Sequence, residues 1–294
     1  MVLALTGVTG LTGRYVFPLL RSLGFTGELR CLIRSTSSRV NLENEQIRVI
    51  VGDCRDLCSV SKLLEGADGL IHIAGIQTTE VVLRAAVERA VKRVVFVHTT
   101  GMFSKYRSYS QEYARIDALV RESDLDYTII RPTMIYGNES DRNISRLIRL
   151  VDCLPIMPVI RHGQALMQPV HAKDVAWAVV KSYLEANTLR KAYNVGGREP
   201  LTYAELLSTI AVALGRELRL VNVPTWMAAV AGYIGQVIPN PLVNIEKIRR
   251  LGEDKAFDYS AARIDFGYNP MSFRDGVTEE IAEMRSKGLL RSPR

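Results

Sequence analysis

Short apolar runs alternate with amphipathic segments through the first half of the chain. Runs that are apolar on both faces are typical of strands in a sheet that helices cover on both sides. The pattern predicts strands at residues 2–5, 29–33, 47–51, 69–73, 94–98 and 127–131. Between them it predicts helices at residues 13–23, 56–65, 79–91 and 109–122. Repeated strand–helix–strand units favour an α/β fold with a Rossmann-type, doubly wound parallel sheet.

The regular alternation fades after Arg131 and Pro132. The pattern then predicts a helix at 141–153, a break at Pro155 and Pro158, a helix at 172–184, a strand at 192–195 and a helix at 203–214. Two more helical stretches are predicted on either side of residues 239–241. We therefore predict a Rossmann domain over residues 1–137 and a smaller, mixed C-terminal substrate lobe over residues 138–294, segments of which can return to the sheet.

The first predicted strand and the first predicted helix are joined by a glycine-rich loop, TGVTGLTG (6–13). A strand that breaks at glycines and restarts as a helix presents free backbone N–H groups and the positive end of the helix dipole. The spacing is G-x-x-G-x-x-G, not the G-x-G-x-x-G of ordinary dehydrogenases. We predict that this loop binds the phosphates of a dinucleotide. The loop residues predicted to bind are Gly7, Thr9, Gly10, Leu11, Thr12 and Gly13.

The residue at the end of the second strand discriminates between the two nicotinamide dinucleotides. A carboxylate there binds the free 2′-hydroxyl of NAD, whereas a cation accommodates the 2′-phosphate of NADP. In this chain the position holds Arg34, followed by Ser35, Thr36 and Ser37, with Arg39 nearby. A guanidinium with neighbouring hydroxyls suits a phosphate. We therefore predict NADP as the preferred cofactor and NAD as the alternative, and a solvated loop arginine is the competing interpretation of Arg34.

Further cofactor contacts are predicted where the next two strands end. Asp53, with Cys54 beside it, follows the third strand, where an aspartate can reach the adenine amino group. Asp53 could instead cap the following helix, since Asp favours that role. Ala74 and Gly75 end the fourth strand, and small residues there let a cofactor pass close to the backbone.

Composition narrows the class of partner. The net charge of +7 favours an anionic ligand, but the basic residues are spread along the chain, so we predict no nucleic-acid partner. The longest apolar stretch, residues 226–238, is too short to span a bilayer and contains glycines, which favours a buried helix, so we predict no membrane partner. The first strand argues against a cleaved signal peptide. The four cysteines form no C-x-x-C pair, and the four histidines lack metal-ligand spacing. We expect a cytoplasmic protein without a bound metal.

With these residues in hand, the chain resembles the extended and atypical branches of the short-chain dehydrogenase/reductase superfamily. This is the group of NAD-dependent epimerase/dehydratases that includes the NmrA-like proteins. The segments that carry the resemblance are TGVTGLTG (6–13), VGDCRD (51–56), HIAG (72–75), VVFVHTTG (94–101), DYTIIRPTMIYG (126–137), QPVHAKDVA (168–176), YNVGG (193–197) and DKAFDYSAARIDFGYNP (254–270). The resemblance implies an NAD(P)-binding Rossmann domain, hydride transfer, a substrate lobe and, by analogy with dimeric relatives, a homodimer.

The resemblance also implies a Ser or Thr after the fifth strand and a Y-x-x-x-K pair on the following helix. Thr99 and Thr100 take the hydroxyl position, with Thr100 the closer match, and Tyr109 takes the tyrosine position. The lysine position holds Tyr113, so the ammonium that would favour a tyrosinate is missing. Either a nearby cation replaces it or proton transfer is weakened; the candidates are Lys105, Arg107 and Arg115. Tyr109 and Tyr113 could also simply face the sheet from an amphipathic helix.

Other positions concern the substrate side. By resemblance, Pro132, Thr133 and Met134 line the nicotinamide pocket, and Met167 stands where sugar-nucleotide epimerases carry an arginine. His171 and Asp174 are expected to orient the chain behind the site. Three arginines at helical spacing could hold an anionic substrate or form a solvated basic face: Arg142, Arg146 and Arg149.

Two functions are consistent with these observations. The first is an NAD(P)-dependent oxidoreductase or epimerase/dehydratase that transfers hydride to or from a small polar substrate, such as a nucleotide sugar. The second is a sensor or assembly protein that binds NADP(H) and has lost turnover. Tyr113 at the lysine position and a short connection after Gly75 favour the second; Thr100 and Tyr109 favour the first.

Overall fold

The computed structural model describes residues 1–37, 47–106, 108–227, 246, 250 and 252–291. Strands and helices alternate as far as Pro132. The strands are β1 (Val2–Thr6), β2 (Glu28–Ile33), β3 (Ile47–Val51), β4 (Gly69–His72), β5 (Arg93–Val97) and β6 (Asp126–Pro132). The helices between them are α1 (Gly13–Ser22), α2 (Leu57–Leu63), α3 (Thr79–Glu88) and α4 (Ser110–Glu122). Each strand and helix predicted from the sequence in this half is confirmed, with its ends shifted by a few residues.

The second half mixes short strands with longer helices. Its first elements are β7 (Ile135–Tyr136), α5 (Ile144–Cys153), β8 (Ile156–Ile160), β9 (Leu166–Met167), β10 (Val170–His171) and α6 (Ala172–Leu184). These are followed by β11 (Lys191–Val195), β12 (Leu201–Thr202), α7 (Tyr203–Leu214), β13 (Arg219–Val223), α8 (Ser260–Phe266) and α9 (Phe273–Ser286). The helical stretches predicted on either side of residues 239–241 lie outside the described residues.

The central sheet has seven parallel strands in the order β11-β6-β5-β4-β1-β2-β3. This is the doubly wound arrangement that the sequence predicts, so the fold class is confirmed. Strand β11 belongs to the C-terminal half of the chain, yet it pairs with β6 and completes one edge of the sheet. The division at residue 137 stays a prediction.

Both faces of the sheet are buried under helices. Along β1, Leu3 and Leu5 pack into the core formed with α1 and α6, while Ala4 between them faces the core formed with α2 and α3. Side chains of successive strand residues point to opposite faces, so a strand covered on both sides must be apolar throughout. That requirement explains the unbroken apolar run of β1.

The smaller lobe has a separate core between α5, α7 and α9. Ile148, Leu207, Ile210, Val277 and Ile281 are buried there. Helix α7 begins with a capping box, in which the Thr202 hydroxyl accepts from the Glu205 amide and the Glu205 carboxylate accepts from the Thr202 amide. Three two-stranded ladders, β7 with β10, β9 with β12 and β8 with β13, connect this core to the main sheet.

The predicted break at Pro158 is wrong, because Pro158 lies within β8. Proline lacks a backbone N–H, so it is tolerated where a strand needs no donor on one side. Among the described residues β8 pairs on one side only, with β13, where Pro158 is in register with Val221.

Arg93 links β5 and β6 to the C-terminal end of α6 by hydrogen bonds. Arg93 donates to the Asp126 carbonyl at 2.9 Å and to the Thr128 hydroxyl at 2.8 Å. Its other terminal nitrogen donates to the Ser182 carbonyl and to the Thr188 hydroxyl. A buried acceptor that loses its donor costs free energy, so this cluster depends on the one side chain.

We expect Arg93→Met to lower the free energy of unfolding by about 2–4 kcal/mol, because it leaves several buried acceptors without a donor. Urea unfolding followed by circular dichroism measures the change. The matched control is Arg84→Met, which removes an exposed ion pair with Glu88 and should cost less than about 0.5 kcal/mol. Equal losses in the two variants would contradict the structural role of Arg93.

Candidate dinucleotide site

A cleft of about 460 Å³ opens at the carboxyl ends of β1, β2, β3 and β4. Ligands in open α/β sheets bind at this edge. Most of the residues predicted to hold a cofactor line the cleft together: Gly7, Thr9, Gly10, Leu11, Thr12, Gly13, Arg34, Asp53, Cys54, Ala74 and Gly75. The other predicted cofactor residues, Ser35, Thr99, Pro132, Thr133 and Met134, lie outside this lining.

The glycine loop is shaped by close contact between backbone segments. Gly7 has φ of +74°, and a Cβ there would lie 2.7 Å from the amide nitrogen of Ala74. A Cβ on Gly13 would collide with the carbonyl of Gly7. Gly7 is therefore restricted by its conformation and by the end of β4, whereas Gly13 is restricted by the loop itself.

The loop ends at the N-terminus of α1. Thr12 precedes the helix, and its side chain makes no capping hydrogen bond. The amides of Arg14 and Tyr15 donate to the carbonyls of Gly10 and Thr12. The helix dipole is positive at this end, so the amides of residues 11–13 and the dipole are the features that can hold a pyrophosphate.

Two arginines bring positive charge to the outer end of the cleft. Arg34 is exposed directly after β2, and Ser37 lies in the lining with it. Arg55, for which the sequence analysis proposed no role, lines the cleft beyond β3. A phosphate at this end would meet two guanidinium groups.

Asp53 lies in the cleft, and its carboxylate accepts from the Arg55 amide at 2.9 Å. The alternative that Asp53 caps the next helix is wrong. The cap of α2 is Asp56, which accepts from the amides of Cys58 and Ser59. The neighbouring Cys54 is a poor nucleophile, because burial and the Asp53 charge raise the pKa of its thiol to about 11.

The inner end of the cleft is lined by Ile73, Val97, His98 and Ile135. These residues come from the ends of β4 and β5 and from β7, which the sequence pattern did not predict. A planar, partly apolar ring suits such a surface.

A buried polar network lies directly below this surface. The Thr6 hydroxyl is 2.7 Å from His72 Nδ1, and the Thr78 hydroxyl is 3.1 Å from His72 Nε2. Because Thr78 also donates to the Gly75 carbonyl, it accepts from Nε2, and Thr6 donates to Nδ1. Both nitrogens are thus satisfied in a neutral ring, and burial lowers the pKa of His72 to about 3.

A second network links β5, α4 and β6. Asp117 accepts from His98 Nδ1 at 3.0 Å and from Arg131 Nε at 2.8 Å, and all three side chains are buried. Burial alone would raise the pKa of the Asp117 carboxyl. The hydrogen bonds from His98 and Arg131 and the Arg131 charge outweigh burial and lower the pKa to about 2. Asp117 is therefore ionised, and it holds His98 against the cleft.

The two threonines after β5 have different environments. Thr100 is buried, and its hydroxyl donates to the Pro132 carbonyl at 3.2 Å. Thr99 is half-buried, and its hydroxyl accepts from the Gly101 amide at 3.0 Å. The Thr99 hydroxyl thus keeps its proton for another partner.

The segment after β6 crosses from the sheet to the lobe. The Thr133 amide donates to the Val195 carbonyl at 3.0 Å, and its hydroxyl donates to the Gln168 carbonyl. The Met134 carbonyl accepts from the Val170 amide at 3.0 Å. This crossing fixes Pro132, Thr133 and Met134 between the sheet and the lobe.

Tyr109 and Tyr113 lie together at the start of α4. Their ring centroids are 6.4 Å apart with an interplanar angle of 25°, so the rings are stacked. Tyr113 is only 5% exposed and accepts from Gln77 Nε2 at 3.0 Å, whereas Tyr109 is 63% exposed. Tyr109 immediately precedes the first residue of α4.

The cations considered as substitutes for the missing lysine differ in their surroundings. Arg115 pairs with Glu80 at 2.5 Å and with Glu112 at 2.8 Å. The Lys105 side chain is exposed, and Arg107 lies outside the described residues.

Residues 253–257 join the lobe to the turn that precedes Tyr109. Glu253 accepts from the Ser104 hydroxyl and from the Lys105 amide, each at 2.7 Å. Phe257 packs on Phe103 with ring centroids 5.6 Å apart, and its amide donates to Gln168.

The same segment carries Lys255, which the sequence pattern did not predict as a site residue. Its Nζ lies 3.8 Å from the Met167 sulfur and donates to the Arg250 carbonyl at 2.6 Å. Burial lowers the pKa of Lys255 to about 8. A cation therefore stands beside Met167, where the resemblance implies an arginine. By contrast, Arg142, Arg146 and Arg149 are exposed on or just before α5.

Comparison with known proteins agrees with this geometry. Residues 7–151 match the family model described as NAD(P)H-binding. The chain is 26% identical to a ceramide reductase of Caulobacter vibrioides, over 98% of this chain and 96% of that protein. It is 23% identical to the mitochondrial NADH-ubiquinone oxidoreductase 40 kDa subunit of Neurospora crassa, over 98% and 80%.

Among solved structures, the dTDP-glucose 4,6-dehydratase of Streptomyces venezuelae with NAD and TYD bound superposes with a TM-score of 0.76. The identity is 22%, and all of both chains is covered. The chain therefore has the fold of the epimerase/dehydratase structures, and its residues 7–151 match an NAD(P)H-binding family model; the predicted resemblance is confirmed at that level. Among the described residues, no helix combines the length and apolarity needed to cross a membrane.

Two buried histidines each favour unfolding in acid. Burial lowers the folded-state pKa of His72 to about 3 and that of His171 to about 4, against about 6.5 in an unfolded chain. Between these values the unfolded state binds more protons at these two histidines, so their contribution to stability falls as the pH falls. Burial raises the pKa of Asp174 to about 6 and that of Glu280 to about 10, and these two carboxyls contribute in the opposite direction. Each histidine should contribute about 1.4 kcal/mol per pH unit.

Urea unfolding at pH of about 7 and about 5 measures this dependence. His72→Gln should remove one histidine's share of the slope, and His162→Gln, which changes an exposed histidine, should leave it unchanged. A His72→Gln slope equal to that of the parent protein would show that His72 is not neutral in the folded state.

Proposed function

We propose that the chain is an NADP(H)-dependent oxidoreductase that acts by hydride transfer on a small polar substrate held between the sheet and the lobe. The observation that best supports this proposal is the cleft at the glycine loop. Arg34 lines this cleft at the position where NAD-specific sites place a carboxylate. The nicotinamide supplies the hydride chemistry when bound, and the protein binds and orients the reactants.

The proposed cofactor contacts follow the cleft from one end to the other. Arg34 and Arg55 hold the 2′-phosphate, and Asp53 meets the adenine. The glycine loop and the N-terminus of α1 hold the pyrophosphate, and Ala74 and Gly75 allow close passage along β4. The nicotinamide lies toward His98, Thr133 and Met134.

The proposed proton-transfer group is Tyr109. Its hydroxyl is accessible because the ring is exposed, and stacking on the buried Tyr113 limits its orientations. Thr99 is the proposed group that orients the substrate oxygen, because its hydroxyl accepts from the Gly101 amide and donates to none of the described residues. Thr100, the closer match to the family pattern, instead supports the crossing at Pro132. Tyr113 acts as a positioning residue.

A polar, negatively charged substrate is supported by the lobe. Lys255 places a positive charge beside Met167, and the side chain of the next residue, Gln168, accepts from the Phe257 amide. By its name, the dehydratase whose structure superposes on this chain acts on a nucleotide sugar, dTDP-glucose. We propose residues 138–294 as the main source of substrate contacts. The homodimer implied by the resemblance stays a prediction.

A second candidate is an NADP(H)-binding assembly or sensor protein without turnover. Tyr113 favours it, because this residue occupies the lysine position and its hydroxyl is engaged by Gln77. The relative from Neurospora crassa is a subunit of a larger enzyme by its name. The two candidates share the cofactor cleft and differ in turnover.

We expect Arg34→Asp to weaken NADPH binding by about 10- to 100-fold, since a favourable charge contact becomes a repulsive one. NADH binding should change by no more than about threefold. Calorimetric titration with both dinucleotides measures the effect. Arg48→Asp is the control, because Arg48 is an exposed arginine on β3 outside the cleft lining. Equal losses for NADPH and NADH would contradict the NADP assignment.

If the protein turns over, Tyr109→Phe should lower the rate by about 100-fold or more and leave NADPH affinity within about twofold. The assay follows NADPH oxidation with a panel of small ketones and epimerisation of UDP-glucose. Tyr106→Phe is the control, because it removes a hydroxyl from another exposed ring in the preceding turn. A full rate in Tyr109→Phe would move the proton donor elsewhere, whereas tight NADPH binding by an inactive parent protein would favour the second candidate.

A further inference from the structure

Buried and exposed positions alternate along β8, whereas in β13 the inward positions are the half-buried Leu220 and the exposed Asn222. Met157 and Val159 point into the core of the lobe. Ile156, Pro158 and Val221 alternate with the buried positions and lie on the outside, with Ile156 50% and Val221 41% exposed. The outer face also includes the half-buried Ile160 and Val223 and the exposed Arg219, and we call these six residues the β8–β13 face.

The charge on this face is positive, although the exposed Glu217 lies two residues before Arg219. Arg219 is in register with Ile156 at one end, and the exposed Arg161 follows β8 at the other end. Residues 154–162 and 218–227 contain no acidic residue. A surface of aliphatic side chains bordered by arginines is complementary to a lipid bilayer with anionic headgroups, which has negative charge at its surface and apolar chains beneath.

The flanks of the β8–β13 face extend its apolar character. Leu154, two residues before β8, and Trp226 and Met227, shortly after β13, are exposed. Tryptophan next to aliphatic and basic side chains is typical of protein segments at a membrane–water interface.

We propose that the β8–β13 face docks on the surface of an anionic phospholipid bilayer. Aliphatic side chains enter the headgroup region, and Arg161 and Arg219 contact lipid phosphates. The net charge of +7 supports the approach to such a surface. The face shares no residue with the dinucleotide cleft, so docking does not depend on the proposed enzymatic function.

Co-sedimentation with vesicles tests the proposal. The full chain should sediment with vesicles of phosphatidylcholine and phosphatidylglycerol, and at least about tenfold less with phosphatidylcholine alone. High salt should reduce sedimentation, because the arginine contacts are electrostatic. Absence of binding to the anionic vesicles would overturn the proposal.

Matched variants locate the contact. Val221→Asp and Arg219→Glu should each lower vesicle binding by about tenfold or more, since each places a negative charge on the face. The control, Ile264→Asp, adds the same charge at an aliphatic residue that is 81% exposed on α8, and it should retain binding. Thermal unfolding and NADPH titration should be unchanged in all three, which separates docking from folding and from the cofactor site.

Two results would overturn the proposal. Light scattering without lipid could show a dimer that Val221→Asp dissociates, which would identify a second copy of the chain as the partner. Equal vesicle binding by Val221→Asp and Ile264→Asp would place the membrane contact elsewhere on the protein.

Discussion

The contact between the glycine loop and the end of β4 determines how the rest of the cofactor site is arranged. Gly7 touches the backbone of Ala74, and Gly13 touches the backbone of Gly7, so β1, α1 and β4 meet without intervening side chains. This proximity directs the N-terminus of α1 into the cleft. It also places Thr6 within hydrogen-bond distance of His72, which begins the buried network under the cleft. A side chain at either glycine would separate these elements and displace the phosphate site.

The buried polar networks explain why His72, His98 and Arg131 occupy buried positions of the sheet. Each of these side chains lies near the carboxyl end of its strand, where the sheet stops being covered on both faces and ligands bind. Asp117 connects two of them from α4, so the helix that carries Tyr113 is fixed to β5 and β6 by charge as well as by packing. Burial and hydrogen-bond partners therefore set the protonation states of His72 and Asp117, which lie under the cleft.

The sequence predicted the main sheet well because each buried strand is apolar throughout and each covering helix repeats its apolar positions every three to four residues. The presence of the glycine loop, Arg34 and Asp53 in one cleft was predictable because each follows the end of a strand; their roles stay predictions. The short strands β7, β9, β10 and β12 were not, since two-residue ladders leave no periodicity. Strand β8 was not predicted, because a proline such as Pro158 indicates a break in a strand. Lys255 was missed because its position depends on a long-range pairing of residue 255 with Met167, which no local pattern records.

The hydrogen bonds of Glu253 mechanically couple the two halves of the molecule. The carboxylate belongs to the segment that carries Lys255, yet both of its oxygens hold the turn at Ser104 and Lys105, a few residues before Tyr109. Any shift of that segment must either pull the turn along or break both bonds. A displacement of the segment around Lys255 would therefore reach the turn that precedes Tyr109 through these two hydrogen bonds.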